Sequence, residues 1–138
     1  NLGTIIRTGE GAGITGVILS RTSVDVFNPK VIRSTMGSVY RVPVLYVDSI
    51  EKEVLSVLKT HGVTTYAAHL KGKNNYDQED YGKGTAFFIG NEGNGLTDSL
   101  TACADTLIKI PMEGQVESLN AAMASGILMY EVARQRRV

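Results

Sequence analysis

The stretch FFIGNEGNGL, residues 87–96, decides how the rest of the chain is read. Three apolar residues run straight into a polar loop that carries three glycines and one carboxylate, Glu92. Such a run reads as a buried strand ending in a glycine-punctuated turn. In open α/β sheets, ligands bind in the crevice outside the carboxyl ends of the strands. Glycines there let the backbone take positive φ and approach a ligand closely. A plainer reading is open at this point as well, because Asn94-Gly95 makes a good turn with no ligand at all.

Working outward, apolar runs alternate with helical patterns. Strands are predicted at 16–19 (GVIL), 42–47 (VPVLYV), 63–70 (VTTYAAHL), 85–90 (TAFFIG) and 106–111 (TLIKIP), the last stopped by Pro111. LGTIIRTGE reads as an entering helix, and NPKVIRSTM, residues 28–36, has an Asn cap with Pro at the first helical position. Residues 50–62 read as one helix with Ile50, Val54, Val57 and Leu58 as its apolar stripe and Gly62 as a left-handed C-cap. LTDSLTACA reads as a short helix, and residues 71–84 as a long polar loop with one helical turn. ESLNAAMASGILMYEVARQRR is the strongest helix, with Ser118 and Asn120 in its first turn. Leu119, Ala122, Met123, Gly126, Ile127 and Tyr130 share one face. Alternation of this kind predicts an α/β domain around a mainly parallel sheet.

The 138 residues suffice for one ordinary domain, and no run of 18 or more apolar residues suggests a membrane span. The single cysteine, Cys103, cannot pair internally and is expected to be a small core residue, which fits a reducing, cytoplasmic setting. Formal charge sums to zero, yet residues 1–47 carry five basic and two acidic side chains while 48–138 carry nine and twelve. A polyanionic partner would therefore meet a local patch rather than a globally basic surface. His61 and His69 lie without metal-ligand spacing, and no metal is expected.

GAGITG, residues 11–16, fits the dinucleotide-binding fingerprint letter for letter. That motif works only with a strand before it and a helix after it, so that a helix N-terminus faces the pyrophosphate. Here a helical pattern precedes the glycines and a strand follows, which argues against a nicotinamide cofactor.

Taken in order, three segments resemble the motifs of the SpoU (TrmH-type) branch of the SPOUT RNA methyltransferases: NLGTIIRT at 1–8, FFIGNEGNGLT at 87–97, and IKIPMEGQVESLNAAMASGILMYEVARQR at 108–136. FNPKVIRSTMGSVYRVPV, residues 27–44, is similar to the family's connecting segment. The resemblance implies an α/β-knot, with the C-terminal segment threaded as a deep trefoil. Sequence reasoning alone does not propose a knot. It implies S-adenosylmethionine as cofactor and methylation of a ribose 2′-hydroxyl, in 23S-type ribosomal RNA by preference and transfer RNA otherwise. It also implies a homodimer formed through the last helix.

By family position, the catalytic set would be Asn1, Arg7, Glu92, Ser118 and Asn120. The cofactor would contact Ile89, Gly90, Asn91, Ile110, Met112, Ser118, Leu119 and Asn120. The whole of residues 1–138 is expected to form the catalytic domain. Because the sequence opens at Asn1 rather than Met, the family's first strand and an N-terminal RNA-binding domain are expected to lie outside it. A non-catalytic RNA-binding or assembly protein on the same fold is the alternative. Retention of Asn1, Arg7, Glu92, Ser118 and Asn120 together argues against it.

Overall fold

The computed structural model describes residues 1–90 and 95–137. The chain opens with helix α1 (Leu2–Ala12), which ends where Gly13 takes φ +85° and donates back to the last helical carbonyls. Strand β1 (Val17–Ser20) follows. The order across GAGITG is therefore helix, glycines, strand, the reverse of a dinucleotide site.

Helix α2 (Pro29–Thr35) starts where Asn28 Oδ1 accepts the Lys30 N–H at 2.9 Å. A 3-10 turn at Ser38–Tyr40 leads to β2 (Val44–Val47), which pairs with β1 in parallel, Val17 opposite Val44. These elements close over a core of Ile6, Val26, Val39 and Val42.

The predicted single helix at 50–62 is two pieces, α3 (Ile50–Glu53) and α4 (Leu55–Thr60), separated at Val54 with φ −112°. Ser49 caps α3, accepting from Lys52 N–H while the Glu53 carboxylate accepts from Ser49 N–H. The break turns Val54 into the core and leaves Val57 exposed, so the predicted stripe is only partly used. Gly62 takes φ +72° as expected.

The second sheet has the order β4-β6-β3-β5, all parallel, with β3 (Thr64–Ala68), β4 (Asn74–Asn75), β5 (Thr85–Phe88) and β6 (Thr106–Lys109). Ala68 on one side and Asn74 on the other both face Ile108, so residues 69–73 arch across β6. The arch is tight. A Cβ on Gly72 would lie 2.5 Å from the carbonyl carbon of Ile108.

Helix α5 (Asp98–Cys103) is capped by Thr97 and buries none of its residues. Cys103 is exposed rather than a core residue, because it sits in the last turn of that surface helix. Helix α6 runs Ala121–Arg136. It begins four residues later than the sequence pattern suggests, and Ser118 lies before the helix rather than in its first turn. Its inward face is Ala122, Ser125, Leu128 and Glu131. Met123 and Tyr130, from the predicted stripe, stay exposed.

The core beneath the second sheet is aromatic. Tyr66, Tyr81 and Phe87 meet edge-on or tilted with centroids 5.1–5.7 Å apart. Tyr81, fully buried, comes from the polar loop, and no periodicity flags it. The last turns of α6 hold that loop down: Gln135 Oε1 accepts Tyr81 N–H, Gln135 Nε2 donates to the Glu79 carbonyl, and Arg136 donates to the carbonyls of Tyr81 and Lys83.

Candidate active site at the carboxyl ends of the strands

Because β3 pairs with both β5 and β6, the three strands deliver their carboxyl ends side by side. Ile89 and Gly90 follow β5, Ile110 to Met112 follow β6, and His69 and Leu70 follow β3. Ile89, Ile110 and Met112 are half-buried, and Ile89 and Ile110 pack against the aromatic core. Leu70 is 66% exposed, an unusual position for a leucine at a strand end. Sequence reading missed His69 and Leu70, because it extended the strand through residue 70. Knowing that β3 is central would have pointed to them.

Gly90 has a more specific requirement than close approach to a ligand. A Cβ there would fall 2.2 Å from the carbonyl carbon of Gly95 and 2.3 Å from the Leu96 nitrogen. The loop therefore closes at its base, backbone against backbone, and Gly95 takes φ +64° to allow it. No other residue fits position 90. Asn91 and Glu92 lie outside the described residues.

After β6, residues 110–120 form an irregular, mostly exposed segment leading to α6. Asn120 is the helix N-cap, with Oδ1 accepting from Ala122 and Met123 N–H at 2.9 and 3.2 Å. Its Nδ2 donates to Asn1 Oδ1 at 3.3 Å. One asparagine thus satisfies a helix start and ties the last segment of the chain to the first. Of the expected site residues, Asn1 and Asn120 are brought together. Ser118 and Leu119 precede the cap on the exposed side.

Arg7 lies on the outer face of α1 and is exposed; among the described residues its guanidinium makes no ion pair. One turn further along, Glu10 is committed elsewhere. It accepts from Arg41 Nε and NH2 and from Ser38 Oγ, which lowers its carboxyl pKa to about 2, with the Arg41 hydrogen bonds as the largest cause. This clamp fixes α1 against the 3-10 turn, while Arg7, the one cation of the helix, has no ion pair among the described residues. Among the described residues no hydrogen bond or ion pair joins Arg7 to Asn120 or to the strand ends.

The donor set suits a cofactor with an apolar ring and a zwitterionic tail. Ile89, Ile110, Met112 and Leu70 offer an apolar wall, while strand-end amides and the Asn1–Asn120 pair offer polar contacts. Among the described residues no cluster of His, Cys, Asp and Glu could hold a metal ion, and no helix is long and apolar enough to cross a membrane. His61 and His69 bond to nearby backbone, at the Val57 carbonyl and the Lys71 N–H respectively.

Comparison with known proteins agrees with this geometry. The chain is 37% identical over 138 residues to the 23S rRNA (guanosine(2553)-2′-O)-methyltransferase RlmP of Bacillus subtilis, with 96% of this chain and 52% of that protein covered. The SpoU methyltransferase AviRb of Streptomyces viridochromogenes, solved with AdoMet, superposes with TM-score 0.90 at 32% identity, covering 98% of this chain and 52% of that one. An AdoMet-bound rRNA methyltransferase from Sinorhizobium meliloti gives 0.85 at 37% identity, covering 99% and 52%. The chain spans about half the length of these proteins. A model of the SpoU rRNA methylase family matches residues 1–130, and the chain belongs to that family.

Proposed function

We propose that residues 1–138 are the catalytic domain of an S-adenosylmethionine-dependent RNA ribose 2′-O-methyltransferase. 23S-type ribosomal RNA is the favoured substrate and transfer RNA the alternative. The observation that carries the reading is the meeting of three strand ends, β3, β5 and β6, beside the Asn1–Asn120 bridge. A cytoplasmic location follows from such a substrate.

The arch of residues 69–73 supports the α/β-knot. It crosses β6 with Gly72 against the Ile108 backbone, so the chain leaving Lys109 departs beneath it, and α6 then pins the outer loop at Tyr81 and Lys83. Exposed Met123 and Tyr130 on α6 support a homodimer through the last helix.

The cofactor would lie against Ile89, Gly90, Asn91, Ile110, Met112 and Leu119, with Ser118 and Asn120 completing the pocket. When bound it supplies an electrophilic methyl group on a sulfonium centre. The protein's part is then positioning and charge. Holding the ribose oxygen in line with that methyl removes most of the entropic barrier. Arg7 keeps its proton at any working pH, so it is a poor base and a good clamp. It grips the target phosphate and stabilises negative charge on the 2′-oxygen as the hydroxyl proton leaves, either to that phosphate or to Glu92. Asn120 orients Asn1 beside the same site.

The test is methylation of ribosomal and transfer RNA transcripts with tritiated cofactor, beside calorimetry of cofactor binding. One cofactor per chain and label confined to the 2′-position are expected. Arg7→Ala should bind cofactor normally and lose at least about a hundredfold in rate. An Arg7→Ala protein that methylates at the normal rate would remove Arg7 from the mechanism.

A further inference from the structure

Residues 21–28, between β1 and α2, carry an aromatic ring into solvent on a backbone that is tied down on both sides. Val26 is buried and its N–H donates to Tyr46 Oη at 2.9 Å, while the same hydroxyl donates to the Val24 carbonyl at 2.8 Å. One residue on, Phe27 N–H donates to the Asp25 carboxylate at 2.9 Å, and Asn28 N–H to the Asp25 carbonyl at 3.0 Å. Phe27 is nevertheless 63% exposed. Single exposed apolar side chains are ordinary, so the neighbours of this ring decide whether it has a use.

Phe27, Lys30 and Arg33 follow one another at three-residue steps, which places them side by side along the start of α2. Val31, Ile32 and Thr35 turn into the core, so Lys30 and Arg33 project from the opposite side of the helix. Both are exposed, and among the described residues neither has an ion pair. The acidic side chains of residues 1–48 are occupied elsewhere: Glu10 with Arg41 and Ser38, Asp48 with Arg21, and Asp25 with the Phe27 N–H. The ridge keeps two positive charges beside its ring.

Its place in the fold is beside the candidate site. Asn28 and Lys30 border the same cavity as Asn1, Ile89 and Gly90. α2 also packs on α1 where Gly3 meets Val31 and Ser34, and Arg7 follows Gly3 one turn later on the same face. α2 therefore adjoins both the strand ends and the helix that carries Arg7.

An aromatic ring with cations beside it suits single-stranded nucleic acid, whose bases stack on the ring while its phosphates meet the charges. A protein partner fits less well, because lysine is depleted at such interfaces. We infer that the Phe27–Lys30–Arg33 ridge binds the unpaired RNA flanking the nucleotide that enters the strand-end site. One base stacks on Phe27, and neighbouring phosphates meet Lys30 and Arg33. Only a base free of its own helix can stack there, so the ridge selects a single-stranded loop over a duplex. The inference rests on the reading of this chain as an RNA methyltransferase and adds to it where the substrate lies and in what form.

The test titrates the chain into a fluorescein-labelled single-stranded RNA of about twelve nucleotides over a range of salt. Beside the parent stand Phe27→Ala, Phe27→Trp, the pair Lys30→Gln with Arg33→Gln, and a control pair on α3 and α4, Lys52→Gln with Lys59→Gln. Phe27→Ala should weaken binding about tenfold with the salt slope unchanged, and Phe27→Trp should restore it. The ridge pair should reduce the slope of log K against log salt by about 1.4, which is about 0.7 for each phosphate of a single strand, and the control pair should not. Annealing the RNA to its complement should abolish the Phe27→Ala effect. A parent that does not bind the RNA at low salt, ridge variants that behave as the control does, or an equal Phe27→Ala effect on the duplex overturns the inference. So does a Phe27→Ala protein that binds RNA normally but sediments as a smaller species, which assigns the ridge to a contact between copies. Calorimetry with S-adenosylmethionine separates the two readings. Cofactor bound with silent ridge variants refutes the ridge alone, whereas no cofactor bound with the ridge effects intact refutes the methyltransferase reading alone.

Discussion

The two halves of this molecule are held together by different means. Around β1 and β2, the core is aliphatic, and its ion pairs lie at the surface: Arg41 on Glu10, and Arg21 on Asp48 with side chains 64% and 76% exposed. Around β3 to β6, the core is aromatic, and its polar links are half-buried: α6 reaches through Gln135 and Arg136 to the backbone of the 71–84 segment, with Glu131 accepting from Arg134 and Gln135 along the helix. Surface ion pairs contribute little to stability, whereas buried networks fix one arrangement. The difference suits the proposed roles. The second half holds the strand ends where a cofactor would lie, and the first presents Arg7 outward on a helix secured by packing, by the Glu10 clamp and by the Asn1–Asn120 tie.

The comparison breaks first at the cores. Ile6→Ala and Ile108→Ala each delete a fully buried side chain, and each should cost about 3 kcal/mol. If the halves unfold together, both variants lower one common calorimetric transition. Two separated transitions, each moved by its own variant, would show that the halves are independent.

Next is Gly3→Ala. Its Cβ would lie 1.6 Å from Ser34 Oγ and 2.8 Å from the Val31 carbonyl oxygen, so α1 must move off α2. A loss of about 2 kcal/mol is expected by chemical denaturation. Adding Ser34→Ala should recover only part of it, because the carbonyl contact remains.

A smaller effect comes from Asn120→Ala. Two amides at the start of α6 lose their acceptor, for about 1 kcal/mol, and the tie to Asn1 is lost as well. Reduced stability with unchanged cofactor affinity would confine Asn120 to the cap.

The smallest effect concerns Glu10. Its carboxyl is depressed from 4.5 to about 2 by Arg41 and Ser38, so the clamp contributes above the unfolded value and is lost as pH falls from about 4.5 towards about 2. Glu10→Gln should melt less steeply with falling pH in that window than the parent chain. An unchanged slope would mean that the clamp forms without consequence.

Much of the fold was legible because its signals are local. Asn28-Pro29 starts a helix, Gly13 and Gly62 end helices, and the glycines of GAGITG follow a helix instead of preceding one; each depends on groups within about one turn of each other. The site was legible in part. The strand ends at Ile89 and Ile110 were expected, whereas the contact between Asn1 and Asn120 was not read from the sequence. The third strand end, at His69 and Leu70, was not, because nothing local says that β3 is the central strand. Reading Gly90 as space for a ligand missed its backbone contact with Gly95.

What the chain determines by itself is the sequence of strands and helices, since caps, turns and apolar periods act at fixed short offsets. Tertiary structure decided which faces those elements bury. It exposed Cys103 and Val57, turned Met123 and Tyr130 of α6 outward, and drew Tyr81 from a polar loop into the core. The reason is physical. Burial depends on what arrives from elsewhere in the chain, as when Gln135 meets Tyr81 across 54 residues and Asn120 meets Asn1 across 119, and no local pattern encodes a partner at that distance.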